Sequence, residues 1–285
     1  MWYDNSTLVD CGFDYYTCTA KDTPTSKLLL IKAEGFLYRE EQKGNFPKSW
    51  RMKGYSGWRC GQLEFGWRED GAIVRLSGSL AADGWWDFYQ ISERCSRIDL
   101  QATLKLPISP KEAVMEIHEG ALNFFSGISS GPKITLWTDN RYGASMYLGC
   151  RQSDLYFRAY NKAAESNQDC WQGCVRLELE VKGCLPKSII KYCLASDTVQ
   201  AGVLSQLRMY CENRGISTNF LLGAPRSFYE RPTIATDELK SLEWLSMAVR
   251  PSVERLLDRG LYNQVSDALG LTEFSPKCKP ICDNL

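Results

Sequence analysis

Three segments of this chain alternate polar and apolar residues over the length of a β-strand, and no other feature constrains the fold as much. In residues 155–162 every second side chain is a tyrosine or a cation, namely Tyr156, Arg158, Tyr160 and Lys162. Segments 97–103 and 176–181 likewise place charged residues at alternate positions, namely Arg97 and Asp99 in the first and Arg176, Glu178 and Glu180 in the second. Successive side chains of a strand point to opposite sides of a sheet. The sequence therefore predicts neighbouring strands with one polar face that gathers tyrosines, carboxylates and cations.

The alternation ends near Val181, and the remaining chain carries apolar residues at helical spacing. We therefore predict an α+β fold with a large, curved antiparallel sheet backed by helices, followed by a helical C-terminal region. The predicted boundaries are a catalytic domain over residues 1–185, a helical region over 186–271 and a mobile tail over 272–285. The tail contains two prolines and shows no periodicity.

Composition limits the partners that this chain can have. The 34 basic and 34 acidic residues cancel, so binding to nucleic acid requires a local basic patch. The N-terminus does not resemble a secretory signal, and no run of about 18 apolar residues is present to span a membrane. We expect a cytoplasmic protein without a membrane partner, and therefore mostly reduced cysteines among the 12 in the chain.

A basic and aromatic segment at residues 43–62 is the best local candidate for contact with DNA. It has no acidic residue, and its candidate DNA-binding residues are Lys48, Trp50, Arg51, Lys53, Tyr55, Trp58 and Arg59. Cations hold phosphates while aromatic rings stack on bases, so the mixture suits a single strand or a splayed duplex. The alternative is a glycine-rich loop with ordinary solvated charges, and the sequence leaves both open.

Histidine and cysteine bear on metal chemistry. The single histidine, His118, excludes a metal site built on a histidine pair, and its helical context favours a helix-surface position. The cysteines at 170, 174, 184 and 193, or those at 278 and 282, suggest structural zinc, although neither set has paired C-x-x-C spacing. The sequence does not decide whether either group of cysteines binds zinc.

Three motifs in order resemble a known family. They are Ser96-Arg-Ile-Asp-Leu, then Tyr147-x-Gly-x-Arg-x-Ser-Asp with Arg158-x-Tyr-x-Lys, then Val175-Arg-Leu-Glu-Leu-Glu. Together they resemble the trans-acting Rep nickases, the rolling-circle replication initiation factors of plasmids and filamentous phages, with related relaxases. The resemblance implies metal-dependent attack of a tyrosine on one DNA strand at an origin, a 5′-phosphotyrosine intermediate and later rejoining. Two alternatives are a non-nicking origin- or hairpin-binding protein and a conjugative relaxase acting at a transfer origin.

The resemblance also suggests roles for particular residues. Tyr160 is the predicted nucleophile, Tyr147 is the second choice and Tyr156 the third. Arg158 and Lys162 are expected on the same strand face as Tyr160, where they lower its pKa or grip the phosphate. Arg151, within the Tyr-x-Gly-x-Arg motif, is a further candidate for DNA contact.

Carboxylates are the candidate metal ligands. Asp99 and Glu178 each follow an arginine two positions earlier, and Glu180 is a possible third ligand for Mg²⁺ or Mn²⁺. The alternative for all three is a cross-strand ion pair without a metal. Origin DNA, single-stranded or as a hairpin, is the expected partner, and a host helicase and a second copy of the chain are further candidates.

Overall fold

The computed structural model describes residues 7–21, 23–129, 131–139 and 143–216, with isolated positions at 253, 256, 257, 260 and 261. The chain divides into two compact units, Met1–Ser227 and Phe228–Leu285, and every element described below lies in the first. The predicted helical region beyond residue 216 lies outside the described residues except at those isolated positions. The tail predicted over 272–285 lies wholly outside them, and the domain boundary at 185 stays a prediction.

Within the described residues, ten strands form one antiparallel sheet, which confirms the predicted α+β class. The strands are β1 (Thr7–Ala20), β2 (Lys48–Met52), β3 (Tyr55–Cys60), β4 (Leu63–Arg68), β5 (Gly71–Ser77), β6 (Arg94–Lys105), β7 (Ile134–Asp139), β8 (Gly143–Gly149), β9 (Leu155–Asn161) and β10 (Cys174–Lys182). Their order across the sheet is β2-β3-β4-β5-β1-β6-β10-β9-β8-β7. The three strands with alternating polar residues, β6, β10 and β9, are therefore neighbours, as predicted.

Five helices pack against the apolar side of this sheet, namely α1 (Thr23–Gln42), α2 (Gly78–Tyr89), α3 (Pro110–Phe125), α5 (Leu185–Ala195) and α6 (Val199–Glu212). The short helix α4 (Lys162–Ser166) follows β9 and contributes no side chain to the core. The start of α3 follows from its sequence, because Ser109 accepts a hydrogen bond from the Glu112 amide (3.2 Å) and the Glu112 carboxylate accepts one from the Ser109 amide (3.0 Å). None of the described helices is long and apolar enough to cross a membrane.

The core lies between the helices and the apolar face of the central strands. In β6 and β10 the alternation places side chains such as Ile98, Leu100, Leu177 and Leu179 in this core, each fully or almost fully buried. The opposite, polar face of the same strands is also withdrawn from solvent, and Glu178 is only 2% exposed. A charged group held in such a position requires partners, because an unpaired buried charge is strongly destabilising.

Phe157 provides a test of how the core positions β9. Its side chain is fully buried and stacks on Tyr210 of α6, with ring centroids 5.4 Å apart. Phe157→Ala is expected to lower the free energy of unfolding by about 3–5 kcal/mol, because it removes a large buried ring and leaves a cavity. Urea unfolding followed by circular dichroism measures the change. Phe46→Ala is the control, since that ring is 80% exposed and its removal should cost no more than about 0.5 kcal/mol. Similar small losses in both variants would contradict the described core.

Candidate active site

Cross-strand pairing sorts the polar-face residues into lateral rows, because directly paired residues of antiparallel strands share a face. The Tyr160 row contains Ser145, Tyr160, Arg176 and Thr103. The Glu178 row contains Tyr147, Arg158, Glu178 and Gln101. The Asp99 row contains Tyr156, Glu180, Asp99 and Tyr15. The sheet thus brings the predicted nucleophile, its two alternatives and all three predicted carboxylate ligands onto adjacent strands.

Arg97 joins two of the predicted metal ligands. Its Nε and Nη2 donate to Asp99 Oδ1 (2.8 Å) and Oδ2 (2.6 Å), a bidentate pair. The same Nη2 lies 2.8 Å from Glu180 Oε2, and Lys182 forms an ion pair with the other oxygen of Glu180. Asp99 is 2% exposed, and its burial raises its pKa while the hydrogen bonds from Arg97 oppose that shift. These carboxylates are therefore held in place and neutralised by cations.

Tyr160 and Arg158 share the third carboxylate. The Tyr160 hydroxyl donates to Glu178 Oε1, while Arg158 forms an ion pair with Glu178 Oε2. Arg158 Nη2 also lies 3.7 Å from Asp99 Oδ2, so it links the Glu178 row to the Asp99 row. In this arrangement the phenol proton already has a carboxylate acceptor.

The expectation that Arg158 and Lys162 lower the pKa of Tyr160 is wrong for this arrangement. Burial raises the pKa of Tyr160, and the adjacent Glu178 carboxylate raises it further. The nearby cations do not offset this, because Arg158 is already paired with Glu178.

Lys162 is also not on the strand face where it was predicted. It is the first residue of α4, because Asn161 caps that helix by accepting hydrogen bonds from the amides of Ala163 (3.1 Å) and Ala164 (3.3 Å). The Lys162 ammonium pairs with Glu165 at 2.7 Å and lies 5.9 Å from the centre of the Tyr160 ring. Its charge is therefore close to the phenol, although it comes from a helix and not from the strand.

The two alternative tyrosines lie beside the same carboxylates and arginines. Tyr147 and Tyr156 stack on each other, with ring centroids 6.1 Å apart and an interplanar angle of 13°. Tyr147 pairs with Arg158 and Tyr156 pairs with Glu180 across the sheet. Tyr160 alone among the three hydrogen-bonds to a predicted carboxylate in the described residues.

Arg176, which the alternation placed on the polar face, forms a second charged group with two carboxylates of β1, and none of the three was predicted as a site residue. Arg176, 5% exposed, donates to Thr103 Oγ1 (2.8 Å), Asp14 Oδ1 (3.2 Å) and Asp10 Oδ2 (3.4 Å). Asp10 and Asp14 come from β1, whose register with β6 shifts at three places. These irregularities break the simple alternation, so the sequence pattern of β1 did not reveal which side chains face the site.

Tyr15 of β1 was missed for the same reason. It pairs directly with Asp99, and the guanidinium carbon of Arg97 lies 4.1 Å from the centre of its ring. Arg75 of β5 lies 5.3 Å from the same ring. The Tyr15 ring thus supports Arg97, which in turn holds Asp99 and Glu180.

The donor chemistry of the site fits a hard divalent cation, since Asp99, Glu178 and Glu180 supply carboxylate oxygens on adjacent strands. The present contacts do not form a metal shell. Across the described parts of the chain, no group of three or more His, Cys, Asp and Glu side chains is arranged to hold a metal ion. The carboxylates point to Arg97, Arg158 and Tyr160, so a cation would compete with these partners. Of the two candidate zinc groups, the one at 278 and 282 lies outside the described residues.

The basic segment forms the hairpin of β2 and β3 at one edge of the sheet, with a two-residue turn at Lys53 and Gly54. Both turn residues have positive φ, 48° and 84°, as a tight hairpin turn requires. Trp50 and Tyr55 are 7% and 8% exposed, because they pack with Ile73 in a small second core. Their rings have little exposed surface for stacking on a base.

The remaining predicted DNA-binding residues of the hairpin divide between the two faces. Lys48 and Arg59 lie on the polar face, whereas Arg51 and Trp58 lie on the opposite face. Lys48 and Arg59 begin a row that crosses the sheet and ends beside the carboxylates of Asp99 and Glu180. This Lys48 row contains Lys48, Arg59, Glu64, Arg75, Thr17, Arg97 and Lys182. Five of its seven side chains are cations.

Arg151, a candidate for DNA contact, and His118, the single histidine, lie away from these rows. Arg151 is exposed in the turn between β8 and β9, and its carbonyl oxygen accepts a hydrogen bond from Lys182. His118 is half-buried on α3.

Comparisons with known proteins include a remote likeness in fold. No model of a protein family matches the chain, and no curated protein matches it by sequence. A comparison of folds matches it to the structure of a rolling circle replication initiator protein from Geobacillus stearothermophilus. The TM-score is 0.49 and the identity is 15%, and the match covers 75% of this chain and 94% of the other.

Proposed function

We propose that this protein nicks one strand of DNA at an origin of rolling-circle replication and later rejoins it, with Tyr160 as the nucleophile. The observation that carries the proposal is the chain of contacts from Tyr160 to Glu178, from Glu178 to Arg158 and from Arg158 to Asp99. These contacts place a phenol, carboxylates and cations on one face of adjacent strands. These are the groups needed to transfer a phosphodiester onto a tyrosine.

In the proposed reaction the Tyr160 oxygen attacks phosphorus and its proton passes to the Glu178 carboxylate. The new bond joins the phenol oxygen to the 5′-phosphate, and the bond between phosphorus and the 3′-oxygen breaks. The 3′-oxygen takes a proton from water and becomes a primer end. Rejoining reverses these changes, and Glu178 returns the proton to Tyr160. Arg158 pairs with the same carboxylate that accepts the Tyr160 proton, and in the proposed reaction it holds the charge that develops on the phosphate oxygens.

Asp99 and Glu180, with Glu178, are the residues that would hold Mg²⁺ or Mn²⁺. When bound, such a cation neutralises the charge of the scissile phosphate and lowers the barrier to attack. Arg97 and Arg158 now balance these carboxylates, and they would be available to phosphate oxygens once a cation takes their place.

We further propose that the Lys48 row leads the DNA to this site. Lys48→Ala with Arg59→Ala is expected to weaken binding to a single-stranded oligonucleotide. The slope of log affinity against log salt should fall by about 1.4, because each lost phosphate contact with a single strand removes about 0.7. Fluorescence anisotropy at several salt concentrations measures both effects.

The matched control removes the same number of positive charges from hairpin positions outside the Lys48 row. It combines Arg51→Ala with Lys53→Asn, since asparagine tolerates the positive φ of residue 53. This variant should keep most of the affinity and a larger share of the slope. Equal losses in the two variants would show that position on the polar face does not matter.

The nicking proposal is tested with end-labelled single-stranded and hairpin DNA that carries the element's own origin, incubated with Mg²⁺ or Mn²⁺. A covalent protein–DNA band on a denaturing gel, with the adduct found on Tyr160 by mass spectrometry, is the expected result. Binding without an adduct on any tyrosine would leave the non-nicking alternative. Cleavage of a transfer origin in place of a replication origin would identify a relaxase. Cytoplasmic location, a helicase partner and dimerisation stay predictions.

A further inference from the structure

Trp137 is a large aromatic side chain in an unusual position. It lies on β7, the edge strand of the sheet, and it is 69% exposed. Among the described residues no ring or cation stacks on its indole, whereas Trp85, Trp86 and Trp171 each have such a partner. A single exposed apolar residue is common on protein surfaces, so exposure alone has no functional meaning. The position of Trp137 on the sheet is the observation that suggests a function.

Cross-strand pairing places Trp137 in the Tyr160 row. Trp137 pairs with Ser145, and Ser145 pairs with Tyr160, so all three side chains lie on the polar face. Two strand spacings separate Trp137 from Tyr160, which corresponds to roughly 10 Å. The residue between them is a serine, so no bulky side chain stands between the indole and the phenol.

The surroundings of Trp137 favour an unpaired base as its occupant. Indole rings stack on bases of any identity, and each such contact contributes about 1–3 kcal/mol. The other two aromatic rings considered on this face are less accessible, since Tyr156 is 7% exposed, Tyr147 is half-buried, and the two rings stack on each other. Arg158 of the neighbouring Glu178 row and Lys162 at the start of α4 are cations near Tyr160, where they would hold the backbone of the same strand.

We propose that Trp137 is a base-binding residue that stacks on an unpaired nucleotide of the DNA strand held at Tyr160. The location of the reacting phosphate rests on the proposed function, but the stacking itself requires neither metal nor cleavage. Trp137 would thereby fix the position of the strand along the Tyr160 row without reading its sequence.

The test uses binding of a 12-nucleotide thymidine oligonucleotide and of a 12-unit abasic oligonucleotide with the same phosphates, both without metal. Trp137→Ala is expected to weaken binding of the thymidine oligonucleotide about tenfold, and Trp137→Phe should recover most of that affinity. Neither variant should change binding of the abasic oligonucleotide. Trp86→Ala, which removes a 42% exposed indole from the helical side, should leave both affinities unchanged. Circular dichroism and thermal unfolding check that every variant folds.

Other outcomes overturn the proposal. Wild-type affinity of Trp137→Ala for the thymidine oligonucleotide would exclude stacking, and equal weakening on the abasic oligonucleotide would show a role unrelated to bases. A wild-type protein that binds both oligonucleotides equally would also exclude it. The binding test and the adduct test can give different answers. If the oligonucleotides bind as expected but the protein forms no adduct with DNA, the nicking proposal is wrong and the base-binding role of Trp137 still holds.

Discussion

Tyr160→Phe is expected to abolish DNA cleavage, with a loss of about 10⁴-fold or more, while DNA binding persists. Removal of a covalent nucleophile has effects of this size in other enzymes. Binding should persist because Arg158 and the cations of the Lys48 row are unchanged. The structure adds a cost in stability, since the Tyr160 hydroxyl donates to a carboxylate that is almost fully buried. Loss of that donor should lower the free energy of unfolding by about 1–3 kcal/mol.

Tyr147→Phe and Tyr156→Phe are the matched controls, because each removes one hydroxyl from the same face. Both should retain cleavage within about tenfold, since neither hydroxyl contacts Glu178 among the described residues. Single-turnover assays on labelled DNA, together with mass spectrometry of the adduct, separate the three tyrosines. Full activity of Tyr160→Phe, with the adduct on Tyr147, would move the nucleophile one row along the sheet and keep the reaction class.

Asp99→Asn is expected to lower metal-dependent cleavage about 100-fold or more and to weaken binding of Mn²⁺ measured without DNA. A catalytic cation contributes several kcal/mol to such reactions, and asparagine keeps the shape of the side chain while removing its charge. The substitution also breaks the bidentate pair with Arg97, so a lower free energy of unfolding, by about 1–3 kcal/mol, should accompany it. Isothermal titration with Mn²⁺, chemical unfolding and the cleavage assay give the three readouts.

Asp169→Asn is the control for this change, because Asp169 is exposed and lies outside the polar rows. It should leave cleavage, Mn²⁺ binding and stability unchanged. If Asp99→Asn lowers only the stability, Asp99 serves as an ion-pair partner of Arg97, which is the alternative that the sequence left open. If Mn²⁺ binding falls while stability is kept, the arginine contact is secondary to the metal.

Local pattern was enough to predict much of the fold. The alternation in 97–103, 155–162 and 176–181 predicted strands, and it assigned the polar-face residues of β6, β9 and β10 correctly; Lys162, which begins α4, is the exception. This works because side-chain direction in a strand has a period of two residues, whatever the strand's neighbours are. The start of α3 also depends on a local contact, because its capping residues, Ser109 and Glu112, are only three positions apart.

The partners of each side chain depended on the tertiary structure. Pairing of β9 with β10, 14 or more residues apart in the chain, decides that Tyr160 meets Glu178 and that its pKa is raised. Helix capping by Asn161 takes Lys162 off the strand, and packing with Ile73 buries Trp50 and Tyr55. The shifted register of β1 adds Tyr15 and Asp14 to the site. Sequence alone therefore determined which chemical groups this face contains, whereas strand order and register decided which of them touch, because contacts across a sheet join residues that are distant in the chain.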